Sequence, residues 1–509
     1  MFYFDSFFTL NLRNGHNTVI FVQLRFQCSN SSFMKVLYTS AECYPVAKVG
    51  GLADVVGSLP KYLKKIGINT SVIIPAYDMP WFDGQLYKIA HKGSFHLGDE
   101  HLYFEIRNFF EEPLGFPFYT VHIPSKFDRF GVYAGRDGNF FGDEVQRNIA
   151  FQRAILTWLR DGSESFDIIH CHDHHTGLIP FMMKHCYEFS GILGQIPTVF
   201  TIHNERYQGN FGWSKQYLLP QFDNWKSGLL DWASTINPLA SAVRCAYRVT
   251  TVSESYMQEL QYNSYGLENL FRTEKWKSKG ILNGIDAEVW DPKTDPMIEY
   301  HLTDNEIEFK EKNKQVICNL AGLNPEYPLF GFIGRLVLEK GAEFIAGLID
   351  TWLQVYKKTS FVVLGTGDKT IEQALLSVAA RHPDNVACLI AYNEAVSHKI
   401  YAGADFLLMP SRVEPCGLNQ MFSMRYGTIP IVRSIGGLRD SVRDISEPNG
   451  VGIRFDEMHF DHIMHAVWRA NELYYKPEWK NQCVKGAMEL DFSWDNSALK
   501  YKDIYQNLL

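Results

Sequence analysis

The chain has 509 residues, 46% of them hydrophobic and 21% charged, with 49 Lys and Arg against 57 Asp and Glu for a formal charge of −8. That length implies two or more domains, the composition is globular rather than disordered, and the acidic balance argues against a general nucleic-acid binder. The longest apolar runs, such as Phe361–Leu364 and Phe406–Pro410, fall far short of the roughly 18 residues a membrane span needs, and nine scattered cysteines without a CxxC pair suggest reduced thiols and an intracellular setting.

Residues 1–33 hold several Phe, Asn and Ser and show no period. Asp5 comes early and Arg13 late, so the segment lacks the basic start of a secretory signal. Met34 precedes Lys35-Val36-Leu37-Tyr38-Thr39, which reads as a first buried strand, and it is the expected true start. Further strands are expected at Thr70–Ile74, Ile168–His172, Thr198–Ile202, Arg248–Val252, Leu329–Ile333, Ser360–Leu364, Val386–Ile390, Phe406–Met409 and Ile429–Val432. Several are apolar throughout, as parallel strands covered on both faces are. Helical patterns follow many of them, as at Leu52–Ile66 and Gly417–Tyr426. This alternation marks doubly wound α/β domains, one over about 35–280 and another over about 328–445, joined by a Gly-, Pro- and Asp-rich connector between them.

Four segments could do chemistry. Lys48-Val49-Gly50-Gly51-Leu52-Ala53-Asp54 follows the first strand and opens a helix. Its glycines let backbone approach a ligand, and free N–H groups at the helix start suit an anion. It is neither GxGxxG nor a P-loop, so neither NAD nor ATP is implied. Its bland alternative is a plain strand-to-helix turn. Asp167–Gly177 carries His170, His172 and His174 at alternate positions of a strand end, which invites a zinc reading, but no spacing completes a ligand set. Core histidines and substrate contact are the competing readings. A second polar patch, Thr201–Gly209, also lies at a strand end, and the two together suggest a pocket for a hydroxyl-rich ligand.

Arg335 and Lys340, in Gly334–Gly341, flank the end of the second domain's first strand. They read as a diphosphate clamp, against an exposed basic pair. In Pro410–Gln420, Glu414 is placed to bond sugar hydroxyls, and the N–H groups from Cys416 to Leu418 begin a helix. A nucleophilic role for Cys416 is disfavoured. Ile435–Val442 repeats the glycine-pair pattern of the first segment.

Together these segments resemble the bacterial glycogen synthase and plant starch synthase family of retaining glycosyltransferases. The resemblance runs from Met34 nearly to the C-terminus. It is carried by K-x-G-G-L-A-D-V at Lys48–Val55, H-x-H-D at His170–Asp173 and I-H-N-x-x-Y-Q-G at Ile202–Gly209. It continues with T-V-S at Thr251–Ser253, G-I-L-N-G-I-D at Gly280–Asp286, R-L-x-x-x-K-G at Arg335–Gly341 and P-S-R-x-E-P-C-G-L at Pro410–Leu418. The last are Y-G-T-I-P-I-V at Tyr426–Val432, G-G-L-x-D at Gly436–Asp440 and Phe492-Ser493-Trp494. Each motif alone is moderately specific; all of them in order are highly specific.

The resemblance implies an α/β fold of GT-B architecture, two Rossmann-like doubly wound domains with an interdomain cleft. Expected boundaries are 34–280 for the acceptor-side domain, 281–480 for the nucleotide-sugar domain and 481–509 for a helical segment returning to the first. It implies glucose transfer from ADP-glucose to the non-reducing end of an α-1,4-glucan, with no cofactor or metal and no nucleic-acid or membrane partner, in the cytoplasm. By motif, Lys48, Gly51 and Asp54 would contact donor and acceptor near the diphosphate, and His172 would lie beside the reacting glucose. Arg335 and Lys340 would neutralise the leaving diphosphate. Glu414 would hold glucose hydroxyls, with Cys416, Gly417 and Leu418 donating backbone N–H groups. Tyr392 would stack on adenine, and Asp143 and Asn237 would serve the acceptor.

The chain departs from the pattern at Glu144 (commonly Asn), His174 (commonly Trp), Ala240 (commonly Lys) and Glu339 (commonly Gln). Three of the four fall on the acceptor half, so acceptor preference is the part most in doubt. Phe422 stands where related glycosyltransferases carry a second Glu, an absence normal for this family. The enzyme alternative is a relative using UDP-glucose or a small acceptor. Retention of Arg335, Lys340 and Glu414 argues against a non-catalytic glucan-binding protein, and the missing glycine fingerprint against a nicotinamide oxidoreductase.

Overall fold

The structure is a computed structural model and describes residues 33–509 apart from positions 137 and 163. The expectation about residues 1–33 lies, Phe33 apart, outside the described residues. Strands β1 (Met34–Thr39), β2 (Ile68–Pro75), β3 (Tyr87–Leu97), β4 (Glu100–Phe109), β5 (Phe118–His122), β6 (Ile168–His172) and β7 (Thr198–Ile202) open the chain. The short pair β8 (Asp231–Trp232) and β9 (Thr235–Ile236) precedes β10 (Arg248–Thr251) and β11 (Ser278–Gly280). Outside the short pair, these strands form one sheet of order β11-β10-β7-β6-β1-β2-β5-β4-β3. Its β11-to-β5 part is parallel, and β4 and β3 are antiparallel.

The second sheet holds β12 (Leu329–Ile333), β13 (Ser360–Leu364), β14 (Val386–Leu389), β15 (Phe406–Met409), β16 (Ile429–Arg433) and β17 (Ile453–Phe455) in the order β14-β13-β12-β15-β16-β17, parallel throughout. These are two Rossmann-like lobes, and the expected α/β class holds. Strands β6, β7, β12, β13 and β15 begin and end where their apolar runs do. Every residue of β6, β7, β13 and β15 is buried, because helices cover both faces.

The β3–β4 hairpin is not among the expected elements. Phe95, Leu97, Leu102, Phe104 and Ile106 face the core in alternation, while neighbours such as Tyr103 stay exposed. Its turn contains Gly98 at φ +61°, a left-handed conformation that suits glycine. The helix expected at 417–426 is shorter, Asn419–Arg425, because Gly417 sits at φ +70° and delays the start.

The last helix, Trp494–Gln506, packs on the first, Gly51–Lys65. Trp494, Tyr501 and Tyr505 join the core of the first lobe. The Tyr505 hydroxyl lies 2.7 Å from both the Tyr38 hydroxyl and His170 Nδ1, and Lys502 Nζ donates to the Ile66 carbonyl at 3.1 Å. Among the described residues no helix is long and apolar enough to cross a membrane.

Buried carboxylates tie the second lobe together. Asp444 accepts from Arg469 at 2.6 Å, from the Arg454 N–H at 2.6 Å and from the Ser446 hydroxyl at 2.7 Å. Burial works to raise its pKa, but the Arg469 pair and those N–H and O–H bonds outweigh it and leave the value at about 2. The folded value lies below the unfolded one, so the stabilisation is present above about pH 4 and is lost as pH falls through about 2. Asp444→Asn should cost about 2 kcal/mol at neutral pH. The gap to wild type should close as the pH approaches 2 in urea melts; an unchanged gap across that range would count against this account.

Candidate active site

The loops after β1, β6, β7, β12, β15 and β16 gather at the carboxyl ends of the strands, where open α/β sheets place ligands. In the first lobe, Lys48 Nζ donates to Asp54 Oδ1 at 2.7 Å. Burial works against the Lys48 ammonium, yet Asp54 beside it, with Tyr392 and Glu394 of the second lobe, holds its pKa above the usual lysine value. Tyr392 itself is 77% exposed. A Cβ added at Gly50 or Gly51 would meet no protein atom within 4 Å, so the backbone there is bare toward open space.

The expectation that the N–H groups of this loop serve a ligand anion needs correction for two of them. Val49 and Gly50 already donate to Glu42 Oε2, at 2.6 and 2.9 Å. Tyr133 donates to Glu42 Oε1 at 2.6 Å, and Glu42 is 3% exposed. Burial raises the Glu42 pKa and these three donors pull it back. Sequence reasoning misses Glu42. Its signal is a lone acid just past a buried strand, flanked by Ala41 and Cys43.

The expected alternation of His170, His172 and His174 ends at β6. Asp173 takes φ +54° and turns the chain, so His174–Thr176 forms a separate short helical turn and the three imidazoles do not converge. His172 is fully buried, stacked on His170 at 4.5 Å and sharing a 3.0 Å hydrogen bond between its Nδ1 and His203 Nε2. Burial, with His170 and His203 beside it, drives its pKa well below the ordinary value, so it is a neutral imidazole. Its Nε2 has no protein partner. Asp173 accepts the His203 N–H at 2.7 Å, and burial raises its pKa to about 7.

Two acceptor-side expectations land on helix starts. Asn237 caps Pro238–Cys245, its Oδ1 accepting from the Ala240 N–H at 2.9 Å, and its amide donates to Gln208 Oε1 at 2.7 Å. Asp143 precedes the helix Glu144–Arg160 and pairs with Arg129. Ala240 is fully buried and Phe422 stacks on Trp290 at 3.7 Å; both are packing positions here.

In the second lobe, Lys340 Nζ lies 2.7 and 2.6 Å from the two oxygens of Glu414, and the Ser411 hydroxyl donates to Glu414 Oε2 at 2.9 Å. Glu414 is 7% exposed and Lys340 28%. Arg335 is exposed and pairs with Glu339 at 3.3 Å; Glu339 also takes Arg206 from the first lobe. Cys416 is buried, which pushes its thiol pKa far up and makes it an inert side chain.

The Gly436-Gly437 pair repeats the glycine pattern of the first loop in sequence, but its role differs: it lets two backbones touch. A Cβ at either glycine would fall 2.1 Å from the carbonyl oxygen of Glu414 or Cys416. The Gly436 N–H is held by Glu259 of the first lobe at 2.9 Å. Ser255 bonds Asp440 through its N–H at 2.8 Å, and the Ser253 hydroxyl donates to the Pro415 carbonyl at 2.5 Å. The loop bearing Glu414 is therefore pinned between the Gly436-Gly437 turn and the first lobe.

Comparison with known proteins agrees with this arrangement. Residues 35–273 match the family described as starch synthase catalytic domain, and residues 315–462 match glycosyl transferases group 1. The chain is 43% identical over 478 residues to a glycogen synthase of Flavobacterium johnsoniae, covering 94% of this chain and 99% of that protein. It is 39% identical to one of Desulforamulus reducens, covering 94% and 99%. The catalytic domain of starch synthase IV from Arabidopsis thaliana, bound to ADP and acarbose, superposes with a TM-score of 0.82 at 32% identity, covering 94% of this chain and 99% of that one. With two parallel-sheet lobes meeting at a cleft and relatives matched along nearly their whole length, the chain belongs to the glycogen synthase and starch synthase family of GT-B glycosyltransferases.

Proposed function

We propose that the protein transfers glucose from ADP-glucose to the non-reducing end of an α-1,4-glucan with retention of configuration. The observation that carries this reading is the Lys340–Glu414–Ser411 cluster at the carboxyl ends of the second sheet. ADP departure builds negative charge on a phosphate oxygen. Lys340, with Arg335, stabilises that charge more in the transition state than in the ground state. Glu414 then trades its lysine partner for glucose hydroxyls, and the N–H groups of Cys416, Gly417 and Leu418 complete the sugar and phosphate contacts. Neutral His172, with Nε2 unpartnered, steadies the oxocarbenium-like carbon without bonding to it.

The cluster offers no second carboxylate for the paired-carboxylate scheme of glycosidases. A front-side displacement assisted by the leaving phosphate fits better. Tyr392 stacks on the base, Gly51 and Asp54 border the diphosphate, and Asp143 and Asn237 serve the glucan. We read the lobes as 34–280 and 281–480, with 481–509 returning to the first; the core membership of Trp494 and Tyr505 supports this. A cytoplasmic setting is supported by eight unpaired cysteines among the described residues.

Initial rates with labelled ADP-glucose and UDP-glucose on glycogen test the reading. Incorporation from ADP-glucose should be faster by about tenfold or more. Equal rates, or a preference for UDP-glucose, would replace it with the UDP-glucose alternative, which the exposed Tyr392 ring accommodates as readily.

A further inference from the structure

The first lobe carries a cluster to which the transfer proposed above assigns no role. Glu144, the first residue of the helix Glu144–Arg160, stands beside His174 and His175 of the turn after β6. Each offers one donor atom, and the three atoms lie within 4.8 Å of one another. His174 Nε2 and Glu144 Oε1 are 3.3 Å apart. Two ligand atoms held at about 2.0 Å from a tetrahedral ion are separated by about that distance, so one edge of the coordination figure is already set.

The surroundings hold the donors in place. His174 and His175 are 5% and 7% exposed, and His175 Nδ1 has no hydrogen-bond partner. An unpaired buried nitrogen is costly unless something binds it. The His175 ring is stacked on Tyr133 at 4.8 Å. The His174 ring fills the space where a Cβ of residue 209 would fall, 2.4 Å from its Cδ2, and Gly209 leaves that space open. A cavity of about 290 Å³ borders Glu144 and His174 and is lined further by Arg206, Gln208 and Asn210.

We propose that Glu144, His174 and His175 bind one divalent transition-metal ion of the zinc type. Two imidazoles and a carboxylate are a donor set that suits Zn²⁺ rather than Mg²⁺ or Ca²⁺, which take oxygen ligands. Three protein donors leave a fourth position for water on the cavity side. The positive charge of nearby Arg147 works against the ion, and the carboxylate of Glu144 works for it. The inference is independent of the reaction proposed above.

The test is titration of the chelator-treated full chain with Zn²⁺ by calorimetry, and with Co²⁺ followed by visible absorption as a reporter of tetrahedral coordination. Wild type should take up one ion at this site and melt at a higher temperature with it. Glu144→Gln should weaken binding by about tenfold or more. His174→Phe should abolish the cobalt band, whereas His462→Ala/His465→Ala, on a separate surface helix, should leave it unchanged. Glu144 lies at an exposed helix start, so its variant reports even if the His174 variant fails to fold. Absence of uptake by wild type, or uptake unaltered by Glu144→Gln, would overturn the proposal.

Discussion

Lys340→Ala should lower kcat for glucosyl transfer by about a hundredfold or more while the lobe stays folded. Lys340 stands 2.7 and 2.6 Å from the two oxygens of Glu414, so the pair acts as a unit. In the proposed mechanism the ammonium turns to phosphate oxygens and the carboxylate to sugar hydroxyls when the donor binds. Losing the cation removes charge stabilisation that matters most as the phosphate departs. Arginine will not substitute fully, because its longer, planar guanidinium carries its donors past the point where the compact ammonium sits. Glu414→Ala should give a loss of similar size. The double variant should lose less than the product of the two, because each single change already breaks the shared contact. Multiplicative losses would show that the two residues act separately. Wild-type kcat in Lys340→Ala would remove the basis for the mechanism.

Asp405→Ala should destabilise the second lobe by about 3–5 kcal/mol, read as a lower urea midpoint. Asp405 immediately precedes β15, with 6% of its surface exposed. It accepts from Lys314 at 2.7 Å, from Lys480 at 2.8 Å and from the Leu329 N–H at 2.9 Å. Burial works to raise its pKa, but Lys480 and Lys314 outweigh this and hold it far below the usual carboxylate range. Removing the carboxylate leaves Lys314, 9% exposed, beside Lys310, whose own pKa burial already depresses. Asp405→Asn should cost less, because its carbonyl still accepts the Leu329 N–H. A midpoint unmoved by either change would mean that the two lysines find other partners.

How much of this is legible in the amino-acid sequence depends on the range of the interaction. Strands β6, β7, β12, β13 and β15 can be read residue by residue, since a strand covered on both faces must be apolar throughout and its ends show as changes of composition. The β3–β4 hairpin is readable in principle too. Its alternating Phe95, Leu97, Leu102, Phe104 and Ile106 carry the period-2 signal, but exposed aromatic residues such as Tyr87 and Tyr103 blur it. Asp173 is not. Nothing local marks it for a positive φ, and that one dihedral decides that His174 turns toward Glu144 rather than continuing the line of His170 and His172.

The amino-acid order alone determined the two βαβ lobes and which short segments sit at the carboxyl ends of strands, because burial period and turn chemistry act over a few residues. Tertiary structure alone decided the pairings. Lys340 meets Glu414 across 74 positions, Glu42 binds the Val49 and Gly50 N–H groups, and Gly436 and Gly437 press on the loop of Glu414. Such contacts depend on where the packed sheets and helices bring chain-distant groups together, and no local pattern encodes that distance.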